Sequence, residues 1–413
     1  MPIDANLAGI RILDLADEPG LLAGRLLGDL GADVVKVEPR GGHRLRRRAP
    51  FFGGKPDPER SLAWLAQNTS KRGITLDLEK ARGRDLFLEL AATADAVIES
   101  GRPGALDRLG IGFAVLAARS PKLVLCSITP FGQSGPYRDW RASDLTALAM
   151  GGNLFPTGDP DRAPVRCSLP TAYFHAGLEA AIGVLFALTA REATGRGQHV
   201  DVSLQEVMMM PNMSSPAQYP ITKYKGGRVG PGYRVGKVFQ PEIWRCRDGF
   251  VSFAIRGGAA RIPGLVAMVQ YMDESGMAPG FLKQRDWKTY NHNLLTQSEV
   301  DEMQAAFAAF FATKSKAELY RAALERKLML APVNDPPAIL SSEQLGSREF
   351  FVDVDYPHLG GAFRHPGAVA KLRPDGVKLR RRAPRVGEHN AEIYAAIGID
   401  AQALAELERE GVV

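Results

Sequence analysis

Short apolar runs alternate with amphipathic stretches through the first third of the chain. Ile10–Leu15, Ala32–Glu38, Gly73–Leu78, Ala96–Glu99 and Leu123–Ile128 are short, largely apolar and bounded by Gly, Pro or charged residues, which predicts strands. Between them, Leu21–Leu30 (ended by Gly31), Lys80–Ala94 and Leu106–Ser120 carry apolar residues at spacings of three and four, which predicts helices. Strands alternating with helices imply a parallel sheet covered on both faces. Ligands of such sheets sit beyond the carboxyl ends of the strands, where the strand order reverses. Residues 142–190 read as mostly helical. Residues 208–237 are rich in Pro, Gly and Met with little periodicity, and read as a long linker. Ile243–Ile255 alternates as a β-hairpin around Arg247-Asp-Gly249, and helical patterns follow to Leu328. A second Pro-rich linker at Pro332–Pro337 leads to strand character over Phe363–Leu379 and a closing helix over Glu392–Glu410.

A chain of 413 residues exceeds one ordinary core, so two domains are expected. A hydrophobic fraction of 45% and a charged fraction of 24% are those of a globular protein. The longest apolar segment, near Ala180–Ala190, falls short of the roughly 18 residues that span a bilayer, so no membrane partner is expected. The start, Met1-Pro-Ile-Asp-Ala-Asn6, has no basic or apolar region of a signal peptide. Cys126, Cys167 and Cys246 are widely spaced, which argues against disulfides or zinc and for the cytoplasm. The net charge is +6, concentrated in Arg44–Arg48 and Arg380–Arg382. Neither run is interleaved with stacking aromatics, so nucleic acid is not an expected partner and a solvated basic face is. The histidines show no metal-ligand spacing.

Seven phrases occur in order along the chain: Leu7–Leu15, Leu27–Glu38, Asn68–Leu78, Arg102–Gly110, Phe131–Tyr137, Thr194–Ser203 and Arg382–His389. Together with the frame Pro164–Gly177 around Tyr173, they resemble the family III CoA-transferases. The resemblance implies a large Rossmann-like α/β domain with a parallel sheet, from residues 1–205 and 351–413. It also implies a smaller α/β domain at 226–330, linkers at 206–225 and 331–350, and two chains interlocked as rings. It places CoA contacts at Arg40, Lys71, Arg72, Leu76, Asp77, Leu78, Glu79, Ser100, Arg108, Arg141 and Asp144. No tightly bound cofactor and no metal are implied; the CoA thioester is a substrate.

Tyr173 stands where the family carries the aspartate that becomes acylated, and a phenol cannot form the acyl anhydride that a carboxylate forms. Other positions depart as well. Ala16-Asp-Glu-Pro-Gly-Leu21 looks one residue short, with Glu18 where a CoA-contacting glutamine is common. Ser100 replaces an asparagine, and Pro39 replaces an arginine that Arg40 can stand in for. The family's glycine run before Gln-Pro reads Gly236-Lys-Val-Phe-Gln-Pro241, so three glycines now carry side chains. Racemases of the family pair a histidine with the aspartate; here Ser143 and Tyr173 occupy those places. Three readings are compatible with these residues. One is a silent subunit whose homologous, aspartate-bearing partner completes an interlocked heterodimer or heterotetramer that moves CoA between an acyl-CoA and a carboxylic acid. The others are a stand-alone racemase- or lyase-like enzyme and a non-enzymatic CoA-thioester binding protein. The first accounts for a lost nucleophile beside retained folding motifs.

Overall fold

The computed structural model of the chain describes residues 5–372 and 376–413. The chain forms two compact units: Met1–Asn153 with Cys167–Ala217 and Gln344–Val413, and Leu154–Arg166 with Gln218–Glu343. Residues 154–166 thus belong to the second unit, although they lie between two helices of the first.

The first unit is built on six parallel strands: β1 (Arg11–Asp14), β2 (Asp33–Glu38), β3 (Lys71–Thr75), β4 (Ala96–Glu99), β5 (Val124–Thr129) and β6 (His199–Ser203), in the order β3-β2-β1-β4-β5-β6. The order reverses between β1 and β4, so the crevice of the sheet opens beyond Asp14 and Glu99. Two strands differ from the reading of the sequence. β6 is at the sheet edge, where polar His199, Asp201 and Ser203 alternate with Val200 and Val202; the short alternation directly after a long helix gave no separate signal. β3 begins two residues earlier than its apolar run, at Lys71 and Arg72. Both cations are buried there because each is neutralised by a carboxylate.

The predicted helix 106–120 is two helices, Ala105–Arg108 and Phe113–Arg119, separated by Gly110 in the left-handed region at φ 73°. Residues 142–190 resolve into Asp144–Met150 and Thr171–Thr194, with no helix over 151–170. The latter helix ends at Gly195, left-handed at φ 68°, a position that suits glycine. By length and composition it is apolar enough to cross a membrane, contrary to the sequence expectation, and 44% of its most apolar window is buried inside the structure. It packs on helix Leu21–Asp29 closely enough that a Cβ at Gly177 would lie 2.9 Å from the Leu22 side chain. The stretch read as a long linker overlaps the end of helix Leu204–Met209 and contains helix Ser214–Thr222. Of the expected strand over 363–379 only Phe363–Pro366 is strand among the described residues, in the second arm of a hairpin, Phe351–Tyr356 with Gly361–Pro366; residues 373–375 lie outside the described residues. The closing helix divides into Asn390–Ala395 and Ala401–Arg409. Residues 1–4 of the N-terminal reading also lie outside the described residues.

The basic run Arg44–Arg48 is not uniformly solvated. Arg46 is fully buried, stacks 3.8 Å over the Trp64 ring, and bonds both Glu38 oxygens at 2.6 and 2.8 Å.

In the second unit, Ile243–Cys246, Gly249–Phe253 and Leu330–Pro332 form an antiparallel sheet. Helices Ile262–Glu274, Gln297–Ala312 and Lys316–Arg326 contribute to a core containing Trp244, Phe253, Phe307, Phe310 and Phe311. Gly232–Val235 and Val238–Pro241 make a separate hairpin that turns at Gly236–Lys237. Of the side chains that replace the glycine run, Val238 and Phe239 therefore lie in paired strand and Lys237 in the turn.

Candidate functional site

The crevice at the strand reversal is walled by the segments after β1 and β4. The Asp17 N–H donates to Ser100 Oγ at 2.7 Å, joining the two segments. His43 Nδ1 accepts from the Leu45 N–H at 3.1 Å, so Nε2 carries the proton toward Asp17, 3.0 Å away. Arg44 reaches the other Asp17 oxygen at 2.5 Å and Glu18 at 3.5 Å, and Arg48 also pairs with Glu18. Burial would raise Asp17, yet the bonds from His43 and Arg44 outweigh it and hold the carboxyl well below the ordinary range. Burial lowers His43, against the pull of Asp17.

Tyr173 lies in the first turn of helix Thr171–Thr194. Pro170 at the cap has no side-chain acceptor, and Asp144 supplies one from outside, accepting the Ala172 N–H at 2.9 Å. A carboxylate there also suits the positive end of the helix dipole. The phenol is half-buried. Burial raises its pKa; a backbone hydrogen bond from Asp144 and the charge of Arg44 oppose this, and the Glu18 and Asp144 carboxylates add to it. The structure therefore brings Tyr173, Glu18, Arg44 and Asp144 together and keeps the phenol neutral near pH 7. His175 and Glu179 on the same helix are exposed, and Asp161 belongs to the second unit.

The other site residues expected from sequence fall into three groups. Arg40, Glu79, Arg108 and Arg141 are exposed; Arg108 Nη1 makes only a long 3.4 Å bond to Pro103 O, and Arg40 Nη2 donates to Glu408 O at 3.2 Å. Ser100, Asp77 and Leu78 are half-buried, and Leu76 is part of the core. Lys71 and Arg72 have structural partners. The Lys71 ammonium donates to Asp14, Leu21 O and Asn68 at 2.8, 2.8 and 2.9 Å, using all three protons. Arg72 spans both oxygens of Asp33 and reaches Glu392 at 2.6 Å.

Reading the sequence missed Glu99, the last residue of β4, although a carboxylate at the end of a strand beside the expected reversal was a usable signal. It is buried and accepts from the Gly101 N–H at 2.5 Å. Burial pushes it up to about 7; bonds from Ser127 and Gly101 oppose this, and the Asp107 and Asp201 charges reinforce it. Because the folded value lies above the ordinary 4.5, its protonated form favours folding. That stability is present at low pH and is lost as pH rises from about 4.5 through about 7. Glu99→Gln is expected to remove this loss and raise stability at pH 8 by roughly 2–3 kcal/mol, read as a higher urea midpoint than that of the unsubstituted chain. Equal midpoints at pH 8 would contradict the assignment.

A family model, CoA-transferase family III, matches residues 7–390. Succinyl-CoA:(R)-benzylsuccinate CoA-transferase subunit BbsE of Thauera aromatica is 34% identical over 410 residues, covering 99% of this chain and 98% of that one. The succinyl-CoA–L-malate CoA-transferase beta subunit of Chloroflexus aurantiacus is 30% identical over 398 residues, 95% of this chain and 94% of that one. The crystal structure of a CAIB/BAIF family protein from Brucella suis superposes with a TM-score of 0.80 at 27% identity, covering 95% of this chain and 99% of that one. The chain belongs to CoA-transferase family III.

Proposed function

We propose that this chain is the catalytically silent subunit of a two-subunit CoA-transferase. Transfer in the family begins when a carboxylate attacks the thioester carbonyl, forming an anhydride and expelling CoA thiolate. The observation that carries the reading is Tyr173, a neutral phenol at the nucleophile's place, with the carboxylates brought beside it, Glu18 and Asp144, already engaged. Glu18 is paired with Arg44 and Arg48, and Asp144 is committed to the helix N-terminus.

A homologous chain supplies the aspartate. Two relatives are named as subunits, which supports such a partner. Leu178, Ile182 and Phe186, four residues apart along one helix, are exposed and form an apolar stripe fit for burial against a second chain. The assembly is an interlocked heterodimer, paired into a heterotetramer, and works in the cytoplasm. Succinyl-CoA is the donor and (R)-2-benzylsuccinate the acceptor, as in the name of the Thauera relative. Where CoA is bound by this subunit, exposed Arg40 and Arg108 face its phosphates, since a guanidinium fork matches phosphate oxygens. Ser100 and Leu76–Glu79 line the remainder.

The test is purification of the chain alone and together with its co-expressed homologue, followed by assay of CoA transfer from succinyl-CoA. Transfer is expected only from the pair. Turnover by the chain alone would overturn the reading.

A further inference from the structure

Beyond β5, the loop 130–142 carries three aromatic rings. Tyr137 and Trp140 are stacked, with centroids 4.2 Å apart and planes 29° from parallel. Phe131 meets both edge-on, at 5.9 and 6.4 Å. The loop is anchored: the Gln133 N–H donates to Asp201 of β6 at 2.9 Å, and the Gln205 N–H donates to Pro130 O at 3.1 Å. A turn closed by the Trp140 N–H on Tyr137 O at 2.9 Å sets the two rings side by side. Such anchoring fits a preorganised platform better than a collapsed core, because both rings remain in solvent: Tyr137 is 39% exposed and Trp140 55%. The other three tryptophans, Trp64, Trp244 and Trp287, are between 0% and 7% exposed. Arg138 and Arg141, both exposed, stand next to the ring residues along the chain. Arg138 is 3.6 Å from Asp139, and Arg141 has no side-chain partner among the described residues. The chain runs on from Arg141 to Asp144, which holds the helix turn bearing Tyr173.

An exposed stacked pair beside the free Arg141 guanidinium suits a flat ring that carries a carboxylate: the ring stacks on the indole and the fork takes the oxygens. We propose that Tyr137 and Trp140 form the recognition surface for the aryl group of the carboxylic-acid substrate, with Arg141 on its carboxylate. The inference rests on the transferase reading and adds to it that the silent subunit selects an aryl acid over an aliphatic one.

Because Trp140 is the exposed tryptophan, the difference in fluorescence between the full chain and its Trp140→Phe variant isolates its signal. Titration with 2-benzylsuccinate is expected to change that signal saturably, while succinate leaves it unchanged. Trp140→Ala is expected to weaken 2-benzylsuccinate binding about tenfold by calorimetry, with Trp140→Phe retaining most of it and all variants melting alike. An equal response to succinate, a response to CoA that 2-benzylsuccinate does not displace, or unchanged affinity in Trp140→Ala would overturn the proposal. The readout is binding, so it stands apart from the activity assay. Turnover by the chain alone would refute silence without touching the platform, and a mute Trp140 would refute the platform without touching silence.

Discussion

Asp14→Ala is expected to destabilise the chain by about 3–5 kcal/mol, a large part of the roughly 5–15 kcal/mol that separates a folded domain from its unfolded state. The Asp14 carboxylate lies between two ammonium groups, Lys36 at 3.2 Å and Lys71 at 2.8 Å, and all three side chains have no solvent exposure. Burial alone would raise Asp14, but the two lysines overcome it and hold the group ionised. Removing it leaves two buried cations with only neutral acceptors: Ala16 O for Lys36, and Leu21 O with Asn68 for Lys71.

The loss has a pH signature. Burial already lowers Lys71 to about 8, with Asp14 opposing, so without Asp14 the lysine gives up its proton still more readily. A base whose folded pKa lies below its unfolded value gains stability as pH rises through that interval. The Asp14→Ala chain should therefore recover part of its stability at pH 9, whereas a merely structural cavity would not. Urea denaturation at pH 7 and pH 9 reads both effects. A loss below about 1 kcal/mol, or one that does not change with pH, would show the cluster to be electrostatically unimportant. Asp14 also accepts the Ala16 N–H at 2.9 Å, so loss of the cluster should loosen the segment that presents Asp17 and Glu18 to the crevice.

In the assembled enzyme, replacing the aspartate of the co-purified homologue by alanine is expected to lower transfer by at least about 10⁴-fold, as removal of a covalent nucleophile does. On the silent-subunit proposal, Tyr173→Phe in this chain is expected to leave transfer near that of the unsubstituted pair, because its hydroxyl would perform no chemistry. Tyr173→Asp in the chain alone should also remain silent. Its new carboxylate would stand with Glu18 and Asp144, whose charges already act on residue 173, and like charges so placed push a carboxyl toward its protonated, non-nucleophilic form. Steady-state assays of the three variants with succinyl-CoA decide the point. Collapse of transfer in Tyr173→Phe, or measurable transfer by Tyr173→Asp alone, would place chemistry in this subunit.

Much of the first unit was legible before any coordinates. Strands β1, β2, β4 and β5 coincide closely with short, largely apolar runs, because strands buried on both faces favour apolar residues and the few buried charges, such as Lys36 and Asp14, are paired with one another. β3 and β6 broke that rule in opposite ways. β3 hides two cations whose partners, Asp14 and Asp33, stand on other strands. β6 faces solvent at an edge and shows only a weak alternation. The helix Phe113–Arg119 was merged with its predecessor because two glycines inside an apolar pattern do not reveal where a chain turns.

The same division runs through the site. The motif frame alone drew attention to Tyr173, since a residue type at a position set by resemblance is read directly from the sequence. Whether a nearby carboxylate replaces it was a question of distance. Glu18 is bound by arginines at positions 44 and 48, and Asp144 bonds a helix that begins 27 residues later. Lys71 and Arg72 looked like ligand-binding cations and proved to be occupied inside the sheet, whereas Glu99 drew no notice and lies buried at the strand reversal. Composition and local pattern determine which segments become strands and helices, because those depend on backbone geometry and the periodicity of burial. Which charges meet, which are desolvated and which remain open to a substrate depends on strand order and side-chain approach between distant residues, and only the tertiary structure decides that.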